Sequence, residues 1–253
     1  MNAPTIPAPS LVLATDLDGT FLGGSDEQRA ALYEQLSARE DALLVFVTGR
    51  DIDFIAELIE TPGMPRPHFI VGDIGTSVYD GVSLQPWEEF EAPIREAWGY
   101  AGARVRALLA DEPGLVIQDT PFRYRVSYDY DPALLTPASR AKVEAAGFDC
   151  IVSAGRFFDV VPKGVNKGTT LSRFVRTLGL DPATVLAAGD TMNDYAMLAE
   201  GFNAVAVGNS EEPLVRAIQG LAHVYHSPHP GAAGIADALR HFELTGETAG
   251  ERA

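Results

Sequence analysis

Short apolar runs alternate with amphipathic stretches along most of this chain, and this alternation limits the fold more than any other feature. Apolar residues fill almost every position of each run, which is typical of strands buried on both faces of a parallel sheet. Strands that alternate with helices in this way indicate an α/β fold with a doubly wound, Rossmann-like parallel sheet. The predicted strands of this sheet are residues 11–15, 43–47, 68–71, 184–188 and 203–207.

The middle of the chain follows a different pattern. Residues 122–130 alternate between apolar or aromatic side chains and polar ones, as in a strand with one packed face and one polar face. A helix is predicted over 136–146, and Ala154-Gly155 marks a hairpin turn between two further strands. The predicted domains are a core of residues 1–84 and 163–253 and an inserted, smaller α+β cap of residues 85–162.

The charge of the chain limits its partners. Its 253 residues include 35 acidic and 19 basic ones, so the formal net charge is −16. Nucleic acids and anionic membrane surfaces bind proteins through Lys and Arg, so this charge argues against both as partners. No apolar stretch approaches the roughly 18 residues of a membrane span, and the first ten residues lack the pattern of a secretory signal peptide. We therefore expect a cytoplasmic protein.

Cys150 is the one cysteine of this sequence, which excludes an internal disulfide bond and a zinc site built from cysteines. It lies in an apolar run, so we predict a small core residue rather than a nucleophile. The segment 246–253 is rich in Gly, Glu and Ala and is predicted to be a frayed tail.

Four groups of polar residues follow predicted strands or open a helix, where an open α/β sheet binds its ligand. Two carboxylates two residues apart, followed by a glycine, suit a sharp exit from the first strand. One carboxylate can attack or bind a metal while the other handles a proton. The four groups are Asp-Leu-Asp-Gly-Thr at 16–20, Thr-Gly-Arg at 48–50, Asn-Lys-Gly at 166–168 and Gly-Asp-Thr-Met-Asn-Asp at 189–194.

Each group alone is common in turns and caps, but their order and shared position at strand ends resemble the haloacid dehalogenase superfamily of phosphotransferases. Its four signatures are D-x-D-G-T, a Thr after the second strand, a Lys, and G-D-x-x-N-D. The predicted insert resembles the αβ cap of the sugar phosphatases in this superfamily. Three segments also resemble sucrose-phosphate phosphatase and its relatives: 126–128 (V-S-Y), 159–162 (D-V-V-P) and 229–235 (H-P-G-A-A-G-I).

The resemblance implies a phosphomonoester hydrolase in which Asp16 is the nucleophile and forms an aspartyl-phosphate. A carboxylate attacks phosphorus efficiently only if the charge developing on the phosphoryl oxygens is neutralised, and Thr48 and Lys167 are the residues that would do so. Asp18 is implied as the general acid for the leaving alkoxide and then as the base for water. The other core residues expected to bind substrate are Gly49, Arg50 and Asn193, the last of which orients the phosphate or Lys167.

The same resemblance implies a Mg²⁺ cofactor. Asp16, Asp190 and the backbone carbonyl of Asp18 would supply the oxygen ligands that Mg²⁺ requires, with Asp194 as a further or water-mediated ligand. The four carboxylates bring a charge of −4, whereas Mg²⁺ and Lys167 return +3 before a doubly negative phosphate arrives. We expect this balance to favour protonation of Asp18, whose carboxylate is not on the metal.

The cap is the expected selector of the sugar. Arg125 and Asp129 lie on the polar face of the 122–130 segment, and Arg156 lies at the adjacent turn, so these three are expected to bind sugar hydroxyls. The alternative is a solvated outer sheet face with surface ion pairs. Phe157 and Phe158 stand where the sucrose-specific relatives are more polar, so the expected substrates include glycosyl phosphates other than sucrose-6-phosphate, such as mannosylfructose phosphate.

Two other functions stay open at this point. A phosphosugar mutase of the same fold, similar to phosphomannomutase, would need a bisphosphate activator and would release no net inorganic phosphate. A signalling receiver also combines acidic residues, a Thr and a Lys on a parallel sheet, but it has no need for the insert or for Asp18. We expect a small sugar phosphate as the partner and a monomer or weak homodimer as the assembly.

Overall fold

Two β-sheets, one of seven strands and one of four, organise this protein. The structure is a computed structural model that describes residues 8–246, so residues 247–253 of the predicted frayed tail lie outside the described residues. The strands are β1 (Leu11–Thr15), β2 (Ala42–Val47), β3 (Phe69–Gly72), β4 (Ser77–Asp80), β5 (Leu115–Ile117), β6 (Val126–Tyr130), β7 (Phe148–Ser153), β8 (Phe157–Pro162), β9 (Val185–Gly189), β10 (Asn203–Ala206) and β11 (Val224–His226). The α-helices are α1 (Asp26–Ser37), α2 (Ile52–Leu58), α3 (Glu88–Trp98), α4 (Gly102–Leu108), α5 (Pro137–Ala145), α6 (Lys167–Thr177), α7 (Tyr195–Leu198), α8 (Glu212–Ala217) and α9 (Gly231–His241).

The seven-stranded sheet has the order β11-β10-β9-β1-β2-β3-β4. Its neighbours are parallel except for β4, which pairs antiparallel with β3. All five predicted strands belong to this sheet, and their observed ends differ from the predicted ones by at most one residue. The edge strands β4 and β11 were not predicted, because each has only three or four residues and includes polar ones.

Helices cover both faces of this sheet. Leu11 and Leu13 of β1 pack in one buried cluster with residues of α1, α2 and α9, whereas Val12 and Ala14 pack in a second cluster with residues of α6, α7 and α8. A strand with two apolar faces must be covered on both, which is why β1 is apolar at every position except its last. The prediction of a doubly wound α/β core is therefore confirmed.

The four-stranded sheet has the order β5-β6-β8-β7, with antiparallel pairing throughout, and all of it lies within the predicted insert. The predicted hairpin turn joins β7 to β8, where Ala154 and Gly155 have φ of +52° and +58°. Helices α3, α4 and α5 pack on one face of the sheet around buried residues such as Trp98, Val105 and Phe158. Cys150 on β7 is half-buried against this cluster, and burial raises the pKa of its thiol to about 12, so it is not a nucleophile.

The direction of the chain reverses at the centre of the large sheet. From β1 the chain moves outward through β2 and β3 on one side, and it returns through β9 to fill the other side. The carboxyl ends of β1, β2 and β9 therefore meet at a topological switch point, where α/β proteins bind ligands. Among residues 8–246, no helix has the length and apolar character needed to cross a membrane.

Candidate active site

The D-x-D-G-T segment leaves β1 in a tight turn with π-helical hydrogen bonding over Leu17–Phe21. Asp18 and Gly19 depart from helical geometry within this turn, and Gly19 has φ of +78°, a conformation that favours glycine. A Cβ at this position would lie 2.1 Å from Oδ2 of Asp190. The turn therefore needs glycine both for its backbone and for its close approach to Asp190.

Lys167 joins two of the predicted aspartates. Its Nζ donates to Oδ1 of Asp16 and to Oδ1 of Asp194, at 2.6 Å in each case. The lysine is fully buried in the first turn of α6, where Asn166 caps the helix. Burial lowers the pKa of Lys167, but the charges and hydrogen bonds of the two carboxylates outweigh this effect and raise it above its ordinary value. Lys167 is therefore a permanent positive charge beside Asp16.

Asp194 has both carboxylate oxygens engaged. Oδ1 accepts from Lys167, and Oδ2 accepts from the backbone N–H groups of Asp190 and Thr191, both at 3.0 Å. Gly189 is required here as well, since a Cβ at that position would lie 2.4 Å from Cβ of Asp194. The geometry makes Asp194 the residue that orients Lys167 and the turn after β9.

Three buried carboxylates, those of Asp16, Asp190 and Asp194, face one ammonium. Burial raises the pKa of Asp16 to about 7, against the opposing charge of Lys167. Burial, followed by the charges of Asp194 and Asp16, raises the pKa of Asp190 to about 8, although Oγ1 of Thr20 donates to it at 3.1 Å. The cluster therefore carries an excess of negative charge that a cation would neutralise.

These three aspartates fit a divalent metal ion. Each can offer one oxygen within 4.8 Å of the others, and within residues 8–246 they are the group that meets this criterion. A set of carboxylate oxygens is the ligand chemistry of a hard cation such as Mg²⁺. Because Asp194 already accepts four hydrogen bonds, Asp16 and Asp190 are the better candidates for direct ligands.

Arg50 contacts Asp18, although the sequence assigned it to the substrate. Nε and Nη2 of Arg50 each donate to one carboxylate oxygen of Asp18, both at 2.8 Å, and the two side chains are about half exposed. The guanidinium also lies 4.2 Å above the ring of Phe54. The charge balance that predicts a protonated Asp18 did not include this positive charge.

Thr48 and Asn193 lie at the same edge of the sheet. Thr48 is fully buried at the end of β2, where its Oγ1 accepts from the backbone N–H of Arg50 at 3.1 Å. Asn193 lies in the short 3₁₀ turn Met192–Asp194, and its Oδ1 is buried without a hydrogen-bond partner among the described residues. The Asn193 amide is thus available to a ligand.

A cavity of about 770 Å³ opens above these residues. Residues of the predicted core and of the predicted cap both line it, among them Asp16, Asp18 and Arg50 from the first and Arg125, Asp129 and Arg156 from the second. Asp16 and Asp18 therefore share one space with the three predicted sugar-binding residues, whereas the fully buried Thr48 and Lys167 do not line it.

Arg125, Asp129 and Arg156 line this cavity. The alternative of a solvated face does not hold for the buried Arg125 and Ser127, but it describes Asp129 and Arg156, which form an ion pair with side chains 38% and 66% exposed. Arg125 is 5% exposed and Ser127 is 2% exposed. Oδ1 of Asp129 accepts from Nε of Arg156 at 2.7 Å and from Nε2 of Gln118 at 3.2 Å. The strand was also predicted too long, since its pairing begins at Val126 rather than at residue 122.

Several residues of this site had no role assigned from the sequence. Thr20 orients Asp190, and Asn209 donates from Nδ2 to the Gly19 carbonyl at 3.0 Å while its Oδ1 accepts from the Gly231 N–H at 2.8 Å. Asp159, a buried carboxylate of the predicted cap, accepts a hydrogen bond from Ser127. Two of these residues had a signal in the sequence: Thr20 as the last residue of D-x-D-G-T, and Asp159 as the first residue of the D-V-V-P segment.

A family profile described as Sucrose-6F-phosphate phosphohydrolase matches residues 9–243. The chain belongs to this family. It is 39% identical over 238 residues to glucosylglycerol-phosphate synthase of Pseudomonas anguilliseptica, a match that covers 94% of this chain and 31% of that protein. It is 30% identical to mannosylfructose-phosphate phosphatase of Agrobacterium fabrum, covering 93% of this chain and 98% of that one.

The fold is shared with solved structures, and the family match confirms the resemblance found in the sequence. The sucrose-phosphatase of Synechocystis sp. PCC6803, solved in complex with sucrose and phosphate, matches with a TM-score of 0.84 at 23% identity, covering 93% of this chain and 98% of that one. The names of the family and of these relatives indicate a phosphatase. The chain spans only 31% of the Pseudomonas relative and 60% of sucrose-phosphatase 1 of Nicotiana tabacum, so its own substrate is a separate question.

Proposed function

We propose that this protein is a Mg²⁺-dependent phosphomonoester hydrolase that acts on a phosphorylated disaccharide or glycoside through an aspartyl-phosphate. The observation that carries the proposal is the placement of Asp16. Its carboxylate lies in the wall of the cavity and accepts a hydrogen bond from the buried ammonium of Lys167. A nucleophile beside a fixed positive charge is the arrangement that attack on a phosphate requires.

The residues of the chain can carry out both halves of the reaction. An oxygen of Asp16 forms a bond to phosphorus while the bond to the sugar oxygen breaks, and Asp18 gives a proton to that oxygen. Water then attacks the phosphorus, Asp18 takes its proton, and the bond to Asp16 breaks to release phosphate. Thr48, Lys167 and Asn193 would hold the phosphoryl oxygens throughout.

A metal ion fits the acidic cluster, with Asp16 and Asp190 as the residues that would hold it. When bound, Mg²⁺ supplies positive charge to the phosphoryl group during its transfer. Asp194 would keep Lys167 and the turn after β9 in place beside it.

The proposed substrate class follows from the relatives and from the cavity. The relatives' names refer to glucosylglycerol phosphate and mannosylfructose phosphate, and the family name refers to sucrose-6F-phosphate. A volume of about 770 Å³ has room for molecules of this size. The pair of Asp129 and Arg156, with Gln118, supplies hydrogen-bonding groups for sugar hydroxyls.

The cytoplasmic location and the monomeric or weakly dimeric state stay predictions from the sequence.

Phosphate release tests the proposal. The wild type is incubated with Mg²⁺ and a panel of mono- and disaccharide phosphates, glucosylglycerol phosphate, mannosylfructose phosphate and sucrose-6-phosphate, with the Asp16→Asn variant as the blank. We expect phosphorylated glycosides to be preferred and EDTA to abolish the activity. Flat activity that EDTA does not affect would contradict the proposal, and a requirement for a bisphosphate activator without net phosphate release would indicate the mutase.

A further inference from the structure

Arg125 connects the predicted cap to the loop that follows β2. Its Nη2 donates to the backbone carbonyl of Gly49 at 2.6 Å, although the two residues are 76 positions apart in the sequence. The guanidinium lies 3.4 Å from the ring centroid of Phe122, and its Nη1 donates to Asp159 at 3.4 Å. The side chain is 4% exposed, so this charged group is buried against a core carbonyl rather than open to the cavity alone.

Three successive carbonyls of this loop each have a separate donor. The N–H of Ile74 donates to the Thr48 carbonyl at 2.9 Å, and the N–H of Asp73 donates to the Arg50 carbonyl at 3.2 Å. The Gly49 carbonyl between them is held by Arg125. One of the three donors that hold this loop is therefore a side chain of the predicted cap.

The loop in turn positions the residue proposed to move the proton. Arg50 directly follows Gly49 and holds both oxygens of Asp18. A change in the peptide between Gly49 and Arg50 would therefore shift Asp18 relative to the leaving oxygen of a substrate. Catalytic groups lose much of their effect when they are displaced by about 1 Å.

We propose that Arg125 is a positioning residue that acts through Gly49 and Arg50 on Asp18, so that a side chain of the predicted cap sets the geometry of proton transfer in the core. The inference rests on the proposed function, because it concerns the proton that Asp18 delivers. It also changes the role expected from the sequence: Arg125 contacts the core, while Asp129 and Arg156 remain the candidates for the sugar.

The leaving group distinguishes this role from a structural one. A sugar alkoxide leaves only with a proton from the general acid, whereas p-nitrophenolate is stable enough to leave without one. Loss of Asp18 positioning therefore slows the transfer of the phosphoryl group to Asp16 from a glycoside phosphate but not from p-nitrophenyl phosphate, while the later attack of water slows for both. The two substrates are therefore compared in the first turnover, by rapid quenching for the glycoside phosphate and by the burst of p-nitrophenol for the other. A damaged fold or a damaged phosphate site slows both.

The test compares the Arg125→Met variant with the wild type on the best glycoside phosphate of the panel and on p-nitrophenyl phosphate. Because methionine leaves Asp159 buried without its partner, the double variant Arg125→Met/Asp159→Asn is measured alongside. Arg106→Met, a change at an exposed arginine of α4, is the control.

We expect the first-turnover rate of phosphoryl transfer from the glycoside phosphate to fall about 10- to 100-fold in both Arg125 variants, with the rate of the p-nitrophenol burst and KM for the glycoside phosphate within about twofold of the wild type. An equal fall for both substrates, a rise in KM for the glycoside alone, or failure of both variants to fold would overturn the role of Arg125. Absence of phosphate release by the wild type from either substrate would instead refute the proposed function.

Discussion

Replacing the buried carboxylate of Asp190 should change two measurable properties in opposite directions. It should raise the stability of the metal-free protein, and it should abolish the stabilisation of the protein by Mg²⁺. Burial and the charges of Asp194 and Asp16 raise the pKa of Asp190 from 3.8 to about 8 in the metal-free protein. Since a difference of one pH unit corresponds to about 1.4 kcal/mol, holding this group ionised above pH 8 costs on the order of 5 kcal/mol relative to the unfolded chain. Removal of the charge should therefore stabilise the metal-free protein.

The sign of the pH dependence follows from the raised pKa. Between about pH 4 and pH 8 the folded state binds a proton at Asp190 that the unfolded chain has lost, so this group makes the free energy of unfolding fall as the pH rises. The Asp190→Asn variant lacks this contribution. We expect the metal-free variant to be more stable than the wild type by a few kcal/mol at pH 8.5, with a smaller difference at pH 5.

Urea unfolding followed by circular dichroism, in EDTA and in Mg²⁺, measures both effects. Mg²⁺ should stabilise the wild type, by about 2.7 kcal/mol at a concentration of 100 Kd, and should leave the Asp190→Asn variant unchanged. The Asp111→Asn variant, altered at an exposed carboxylate, is the control. A metal-free Asp190→Asn variant that is less stable than the wild type at pH 8.5, or equal stabilisation of both by Mg²⁺, would refute the reasoning.

Three further changes test other parts of the site. Asp18→Asn should keep substrate binding but lower kcat for glycoside phosphates about 100-fold or more, and steady-state kinetics that show full turnover would exclude its role as general acid. Gly19→Ala should weaken the thermal stabilisation by Mg²⁺, because the added Cβ would collide with Asp190. The control is Gly63→Ala, which has a similar φ of +82° and no atom within 4 Å of an added Cβ, and which should leave this stabilisation unchanged. Equal effects of the two variants would indicate backbone strain alone. Burial raises the pKa of Cys150 to about 12. The folded protein should therefore react with iodoacetamide at pH 8 about 1000-fold more slowly than the urea-unfolded protein. Mass spectrometry measures both rates, and similar rates would contradict this prediction.

The core of the fold was predictable because its signals are local. Each of the five predicted strands is a continuous apolar run, and continuous runs are what a sheet covered on both faces requires. Helix α3 was not predicted, since it contains Pro93 and its N-cap residue, Trp87, makes no side-chain cap hydrogen bond. Helix α4 has seven residues and also lacks a side-chain cap, so it has neither the length nor the start signal of a recognisable helix.

The residues of the site were predictable, but most of their contacts were not. Asp16, Lys167 and Asp190 follow strands or open a helix at one edge of the sheet, and the sheet order brings them together. The contacts of Arg50 with Asp18 and of Arg125 with Gly49 join residues 32 and 76 positions apart, and no periodic pattern specifies such pairs. The charge balance around Asp18 was incomplete for this reason.

The most direct test of the central claim is to detect the phosphoryl group on Asp16. The Asp18→Asn variant is mixed with p-nitrophenyl phosphate and Mg²⁺, quenched in acid and digested for mass spectrometry. Because this substrate needs no proton from Asp18 to leave, whereas the attack of water needs a base, we predict that the peptide containing Asp16 accumulates one phosphoryl group. Rapid release of p-nitrophenol without a phosphoryl group on Asp16, or with the group on another residue, would contradict the account.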